Sequence, residues 1–126
     1  MTKRVYVFSS NECGHHAAGA ALAAYRQHGA RMKFSYGHMG NSFAIPTLNQ
    51  KNETLTKGNI QAYVRGFMAY AYGHPEIEFH ITRVGVADGH TDEDMSMLFH
   101  VAPNNCLFEE YWLRFLGPNR RYWDNG

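Results

Sequence analysis

Apolar and polar positions recur along this chain with two different periods, and each change of period marks a new element. Val5, Val7 and Phe8 are β-branched or aromatic with no helix-start signal before them, and they predict a short buried strand. A polar turn from Ser9 to His16, carrying Asn11 and Gly14, should follow it. Ala17, Ala18, Ala20, Ala21, Leu22, Ala23 and Ala24 then predict a helix to about Tyr25 or His28, because Gly29 suits the position just past a helix end. Such small side chains also let a helix lie close to a sheet, whatever the protein binds.

Further along, Met32–Phe34 reads as a short strand and Ser42–Ile45 as another, stopped by Pro46, which lacks the ladder donor. Between them Gly37 and Gly40 bracket His38 and Met39 ahead of Asn41; such a loop bends sharply or lets a ligand approach the backbone. Leu48 to Thr56 is polar and predicts a solvated loop. Ile60, Tyr63, Val64, Phe67, Met68 and Ala71 recur at helical spacing, and Gly73-His-Pro75 stops that helix. Glu78 to Arg83 predicts a strand emptying into a second glycine loop, Gly85 to His90. Thr91 with Asp94 three positions on has the form of a capping box, opening a helix that buries Met95, Leu98 and Phe99. Pro103–Asn105 predicts a turn and Cys106–Phe108 a last strand. Strands alternating with helices imply an α/β fold, a three-layer α/β/α sandwich.

At 126 residues the chain fits one domain: residues 1–108 as the ligand-binding body and 109–126 as an aromatic and arginine-rich extension of it. Twelve Lys and Arg against eleven Asp and Glu argue against long nucleic acid or an anionic membrane as partner, and leave a small anion open. Cys13 and Cys106 follow no metal or redox spacing, which suits a reducing compartment. The first residues hold too few apolar positions for a signal peptide, so a cytoplasmic location is expected.

Two strands that each run into a glycine loop are the chemically suggestive feature. At the carboxyl end of a sheet, loop amides and a helix N-terminus favour anionic groups such as phosphates. His15 or His16 in the first loop could touch a phosphate or base, or lie on the surface. Arg83 could pair with a diphosphate or with a neighbouring acid. Asp88 could hold a ribose hydroxyl or position a water, or could be a turn residue ahead of Gly89. No two of the eight histidines stand i, i+4 on a helix, so no metal site is expected. A Cys13 nucleophile would have only the His15-His16 pair as a base. Tyr111, Trp112, Phe115, Tyr122 and Trp123, interleaved with Arg114, Arg120 and Arg121, could stack bases, but the near-neutral chain favours a subunit interface or a flap over the ligand. Either predicts a homo-oligomer.

Three short stretches in order, Phe8-Ser-Ser-Asn11 with His16-Ala-Ala-Gly-Ala20, Ser42-Phe-Ala-Ile-Pro-Thr47, and Thr82-Arg-Val-Gly-Val-Ala87, resemble the macrodomain superfamily. The resemblance is to the terminal ADP-ribose protein glycohydrolase-like branch and to related small bacterial and phage proteins. It implies a compact macrodomain-like sandwich with a mixed central sheet, no cofactor, and a small nucleotide ligand such as ADP-ribose or a cyclic derivative. A phage protein of this kind would sequester a NAD-derived or cyclic nucleotide immune signal, an anti-defence role. The resemblance implies that Asn11 faces the distal ribose, that Gly19 and Ala20 line the early loop, and that Val84 to Gly89 wrap the diphosphate. With the glycine loops this gives a candidate site of Ser9, Asn11, Gly14, His15, Gly19, Ala20, Gly37, Gly40, Asn41, Thr47, Arg83, Val84, Gly85, Asp88 and Gly89, with Asp88 catalytic if the protein is an ADP-ribosyl hydrolase. The hydrolase branch carries a lysine after the central strand, where this chain has Thr47 or its neighbours. Its absence makes binding without turnover the better reading.

Overall fold

The computed structural model describes residues 3–16 and 19–125. Among these, β1 (Lys3–Asn11), β2 (Gly37–Met39), β3 (Ser42–Leu48), β4 (Ile77–Ile81), β5 (Cys106–Glu109) and β6 (Arg121–Trp123) form a mixed sheet in the order β2-β3-β1-β4-β5-β6. Only β2 is antiparallel to its neighbour. The helices are α1 (Gly19–Gln27), α2 (Lys57–Tyr72), α3 (Asp92–Met97) and α4 (Leu113–Leu116). The chain therefore starts in the middle of the sheet, moves outward to β3, then returns to the other side of β1 for β4, β5 and β6. That reversal opens a crevice between the carboxyl ends of β1 and β4, the usual place for a ligand in an open α/β sheet.

Side-chain alternation along the strands divides the core into two layers. Val5, Val7, Phe43, Ile45, Phe79 and Ile81 face α2 and α3 and form the larger cluster. Phe8 and Ala44 point the other way, toward Ala24 of α1, with Ala30 and Met39 completing a smaller cluster. The molecule is thus a three-layer α/β/α sandwich. Its helix ends follow the sequence: Gly29 has φ 77° while Ala30 N–H donates back to Ala24 O at 3.1 Å, and Thr91 Oγ1 accepts from Asp94 N–H at 3.1 Å. No helix among the described residues is long and apolar enough to cross a membrane.

Several boundaries differ from the sequence reading. β1 continues through Ser9, Ser10 and Asn11, because β3 flanks it there and pairs Ser9 with Ile45 and Ser10 with Pro46; pairing outweighs the weak strand preference of Ser and Asn. Met32–Phe34 forms no strand. Lys33 takes φ 69° and its N–H donates to Gly14 O at 2.8 Å, so this segment is a turn held against the first loop, and the edge strand is β2 instead. β3 does not stop at Pro46 but runs on to Leu48; β2 covers only Ser42–Ala44, so the missing N–H meets no partner on that side. Ala17 and Ala18 of the predicted alanine helix lie outside the described residues. The aromatic tail belongs to the fold itself: Trp112 is fully buried in the larger cluster, and Tyr122 pairs with Phe108 as β6 extends the sheet.

Candidate functional site

A cavity of about 540 Å³ occupies the crevice. Ser9 at the end of β1, Gly19, Ala20 and Ala21 opening α1, Thr82, Arg83 and Val86–Asp88 after β4, Glu109 ending β5, and Asn125 of the tail line it. A recess of about 260 Å³ shares Ser9, Ala21 and Asp88 with it and extends to Asn11, His15, Leu48 and Asn52. The two strand-to-loop junctions therefore meet in one cleft.

Local bonds fix the second loop. Thr82 donates to Val7 O through both its N–H, at 3.0 Å, and its Oγ1, at 2.8 Å, which binds the end of β4 to β1. Gly85 follows with φ 82°, and its N–H donates to Ser9 Oγ at 2.9 Å across the crevice. A side chain there would be strained and would press on Met95, whose Sδ lies 2.6 Å from the place of a Cβ. One turn of 3-10 helix, Val86–Asp88, ends at Gly89 with φ 102°. Thr54 Oγ1 donates to Asp88 O at 2.6 Å, and buried Thr47 donates its Oγ1 hydrogen to Asp88 Oδ2 at 2.5 Å. Asp88 is thus held as an acceptor on the cleft wall, half-buried, by two threonines from β3 and the loop after it.

The cleft has two chemical poles. At one, Gly19, Ala20 and Ala21 are the first described residues of α1, at the end where the helix dipole is positive. At the other stand the carboxylates Asp88 and Glu109. Arg83 adds little positive charge, because its Nε and Nη2 each donate at 2.7 Å to the two oxygens of Asp92, while its guanidinium lies 4.4 Å from the Tyr111 ring centroid. Those bonds from Arg83, with one from Trp112 Nε1 at 2.8 Å, hold the Asp92 carboxyl below the usual carboxylate range, and the pairing raises Arg83 in turn. The main-chain N–H of Arg83 donates to Glu109 Oε2 at 2.7 Å.

Of the residues singled out in the sequence, Ser9, Gly19, Ala20, Arg83 and Asp88 line the main cavity, and Asn11 and His15 line the adjoining recess. Gly85 and Gly89 shape the loop, Thr47 stands behind Asp88, and Val84 is buried in the core. Others lie elsewhere. Gly14 serves backbone packing, since a Cβ on it would meet the Lys33 carbonyl carbon at 2.4 Å. Gly37, Gly40 and Asn41 belong to the β2–β3 hairpin; its turn precedes β3, and β3 is parallel to β1, so the turn lies at the opposite end of the sheet from the cleft. Asn41 O accepts from Tyr6 N–H there at 2.8 Å.

Asn11 spends its side chain on its own loop, accepting from His15 N–H at 2.8 Å and donating to His15 O at 2.9 Å. His16 does not enter the cleft: its ring is buried edge-on to Phe8, Nε2 lies 3.1 Å from Phe34 O, and burial lowers its pKa. Ala21, Thr82, Glu109 and Asn125 were missed as site residues. Glu109 could have been found by asking what ends the next parallel strand; nothing in the sequence marks Asn125.

Fold and cleft together define the class, an α/β domain with a crevice where the strand order reverses. No family model matches the chain, and no curated protein matches it in sequence. In structure it is similar to a protein of unknown function from Bacteroides thetaiotaomicron, with a TM-score of 0.59 and 12% identity over 80% of each chain. At that identity the likeness is one of fold.

Proposed function

We propose that this domain binds a small nucleotide containing ADP-ribose in the cleft and holds it without turnover, as a member of the macrodomain superfamily. The observation that carries the proposal is the pairing of poles in one cavity: the α1 N-terminus suits a phosphate, and the Asp88 and Glu109 carboxylates suit ribose hydroxyls. The cavity volume lies in the range of small-molecule sites. Thr47 supports retention of the ligand over its cleavage. Its hydroxyl is committed to Asp88, and no lysine amine stands there to form an adduct with an opened ribose. In a phage setting such a domain would sequester a NAD-derived or cyclic nucleotide immune signal in the host cytoplasm. Self-association through the exposed Tyr111 and Leu113 of the tail belongs to the same proposal.

The second reading is an ADP-ribosyl hydrolase with Asp88 as the catalytic carboxylate, favoured by the place of Asp88 on both cavities. Calorimetry with ADP-ribose, cyclic ADP-ribose forms and cyclic dinucleotides tests the proposal, and silence with all of them defeats it. Ligand recovered intact after denaturing the complex supports retention. Conversion that disappears in Asp88→Ala supports the hydrolase.

A further inference from the structure

A second hollow, of about 280 Å³, lies on the α1 side of the sheet and is lined by Arg4, Val5, Tyr6, His28, His80 and Trp123, with Asn125 at its border with the cleft. α1 covers only part of this face; α2, α3 and α4 all lie against the other. Four rings from four places in the chain meet here. Tyr6 of β1 stacks on His28, just past α1, with centroids 4.3 Å apart and planes at 13°. Trp123 of β6 stands edgewise to Tyr6 at 6.2 Å and tilts against His80 of β4 at 4.9 Å.

Packing accounts for the rings touching one another, and Trp123 Nε1 is anchored by donating to Ile81 O at 3.0 Å. It does not account for the open volume beside them. Burial lowers the pKa of His28, and its neutral ring carries one donor and one acceptor. The charges around the mouth are unequal. Glu78 already accepts from His80 Nε2 at 2.8 Å and Arg121 Nη2 at 3.0 Å, while Arg4, with a side chain 76% exposed, only grazes it at 4.0 Å. Arg4 is thus the exposed cation at the mouth.

We propose that this hollow is a second binding site, for a planar heteroaromatic ring that carries an anionic group. The ring stacks on Trp123, its edge meets the rim of the Tyr6–His28 stack, and Arg4 receives the anion. The site does not rest on what the cleft holds.

Adenosine 5′-monophosphate is the probe, with adenine and ribose 5-phosphate as the arms that separate ring from anion. Binding to the full chain is measured by calorimetry, with folding of each variant checked by circular dichroism. AMP should bind, adenine more weakly and ribose 5-phosphate not at all. Trp123→Ala should weaken AMP by about tenfold or more, the usual loss of a stacking partner, and His28→Ala by about threefold to tenfold, the usual loss of a hydrogen bond. Ala87→Trp, at an exposed position on the cleft wall, should leave AMP binding unchanged. If Trp123→Ala does not fold, His28→Ala and the surface change Arg4→Ala carry the test. No AMP binding at millimolar concentration overturns the proposal. So does binding lost in Ala87→Trp but kept in His28→Ala, which would place AMP in the cleft, and so does ribose 5-phosphate binding as well as AMP.

Discussion

Ser9 and Gly85 are 76 positions apart in sequence, yet the Gly85 N–H donates to Ser9 Oγ at 2.9 Å and ties the loop after β4 to the end of β1. Replacing Ser9 with Ala leaves that part-buried amide without its acceptor. The expected cost is about 1–2 kcal/mol, in the range for an unsatisfied buried donor. Urea denaturation checks the stability, and calorimetry with ADP-ribose checks an accompanying fall in affinity.

Gly85→Ala should be worse. The residue has φ 82°, and a Cβ would fall 2.6 Å from Met95 Sδ. Left-handed strain alone costs about 1–3 kcal/mol, and displacing the buried Met95 adds to it. The variant should unfold at markedly lower urea than Ser9→Ala.

Thr47→Val keeps the volume of a fully buried side chain and deletes the hydrogen that Asp88 Oδ2 accepts. We expect a loss of about 1–2 kcal/mol by the same reasoning, together with a looser Asp88. If Asp88 grips a ribose hydroxyl, affinity falls in Thr47→Val and in Asp88→Ala, the latter by more. Calorimetry on both variants reads this.

The Asp92 carboxyl is held below its ordinary value in the folded state, first by its bonds from Arg83 and then by Trp112. A carboxyl depressed in this way stabilises the fold at pH above its unfolded pKa of about 4, and the contribution disappears as pH falls through the lower folded value. Urea midpoints of the parent and Asp92→Asn should therefore differ most from pH 5 to 7 and converge toward pH 2. Solvent reaches the Arg83 side chain, so the gap is smaller than for a wholly buried pair.

Cys13 is exposed and Cys106 is buried, with burial pushing the Cys106 thiol up to about 12. A thiol reagent at neutral pH should add one label to the native protein and two after unfolding, counted by intact mass.

The parts of this molecule written in local sequence were legible in it. Gly29 ends α1 and Thr91 opens α3 because those signals act over four residues, and the stripe from Ile60 to Ala71 needs only one helix to be recognised. Asp88 stood out from the strand-to-loop pattern, which belongs to the carboxyl end of any parallel strand, whereas Gly19 and Ala20 came from the resemblance; all three line the cavity. How side chains pair once the loops close was not legible. Asn11 spends its side chain on His15 of its own loop, and of the two alternatives for Arg83 the structure shows the neighbouring acid, Asp92, with Tyr111 against the guanidinium. Gly40 has the glycine chemistry of a binding loop, yet the parallel run of β1 and β3 carries it to the far end. Trp112 was expected with the other tail aromatics at a subunit interface or in a flap over the ligand; it is buried instead, against Phe99 and with its Nε1 on Asp92, partners well outside its own stretch of sequence.

Pro46 bears on how the border of the sheet is closed. Past Ala44 the cover from β2 ends, and pairing on that side resumes only at the bridge from Leu48 to Thr54, yet Ile45, Pro46 and Thr47 are buried. A proline in the gap brings no amide hydrogen that would have to be left unmet away from water, so the residue least suited to a ladder is the one that spares this seam an orphan donor.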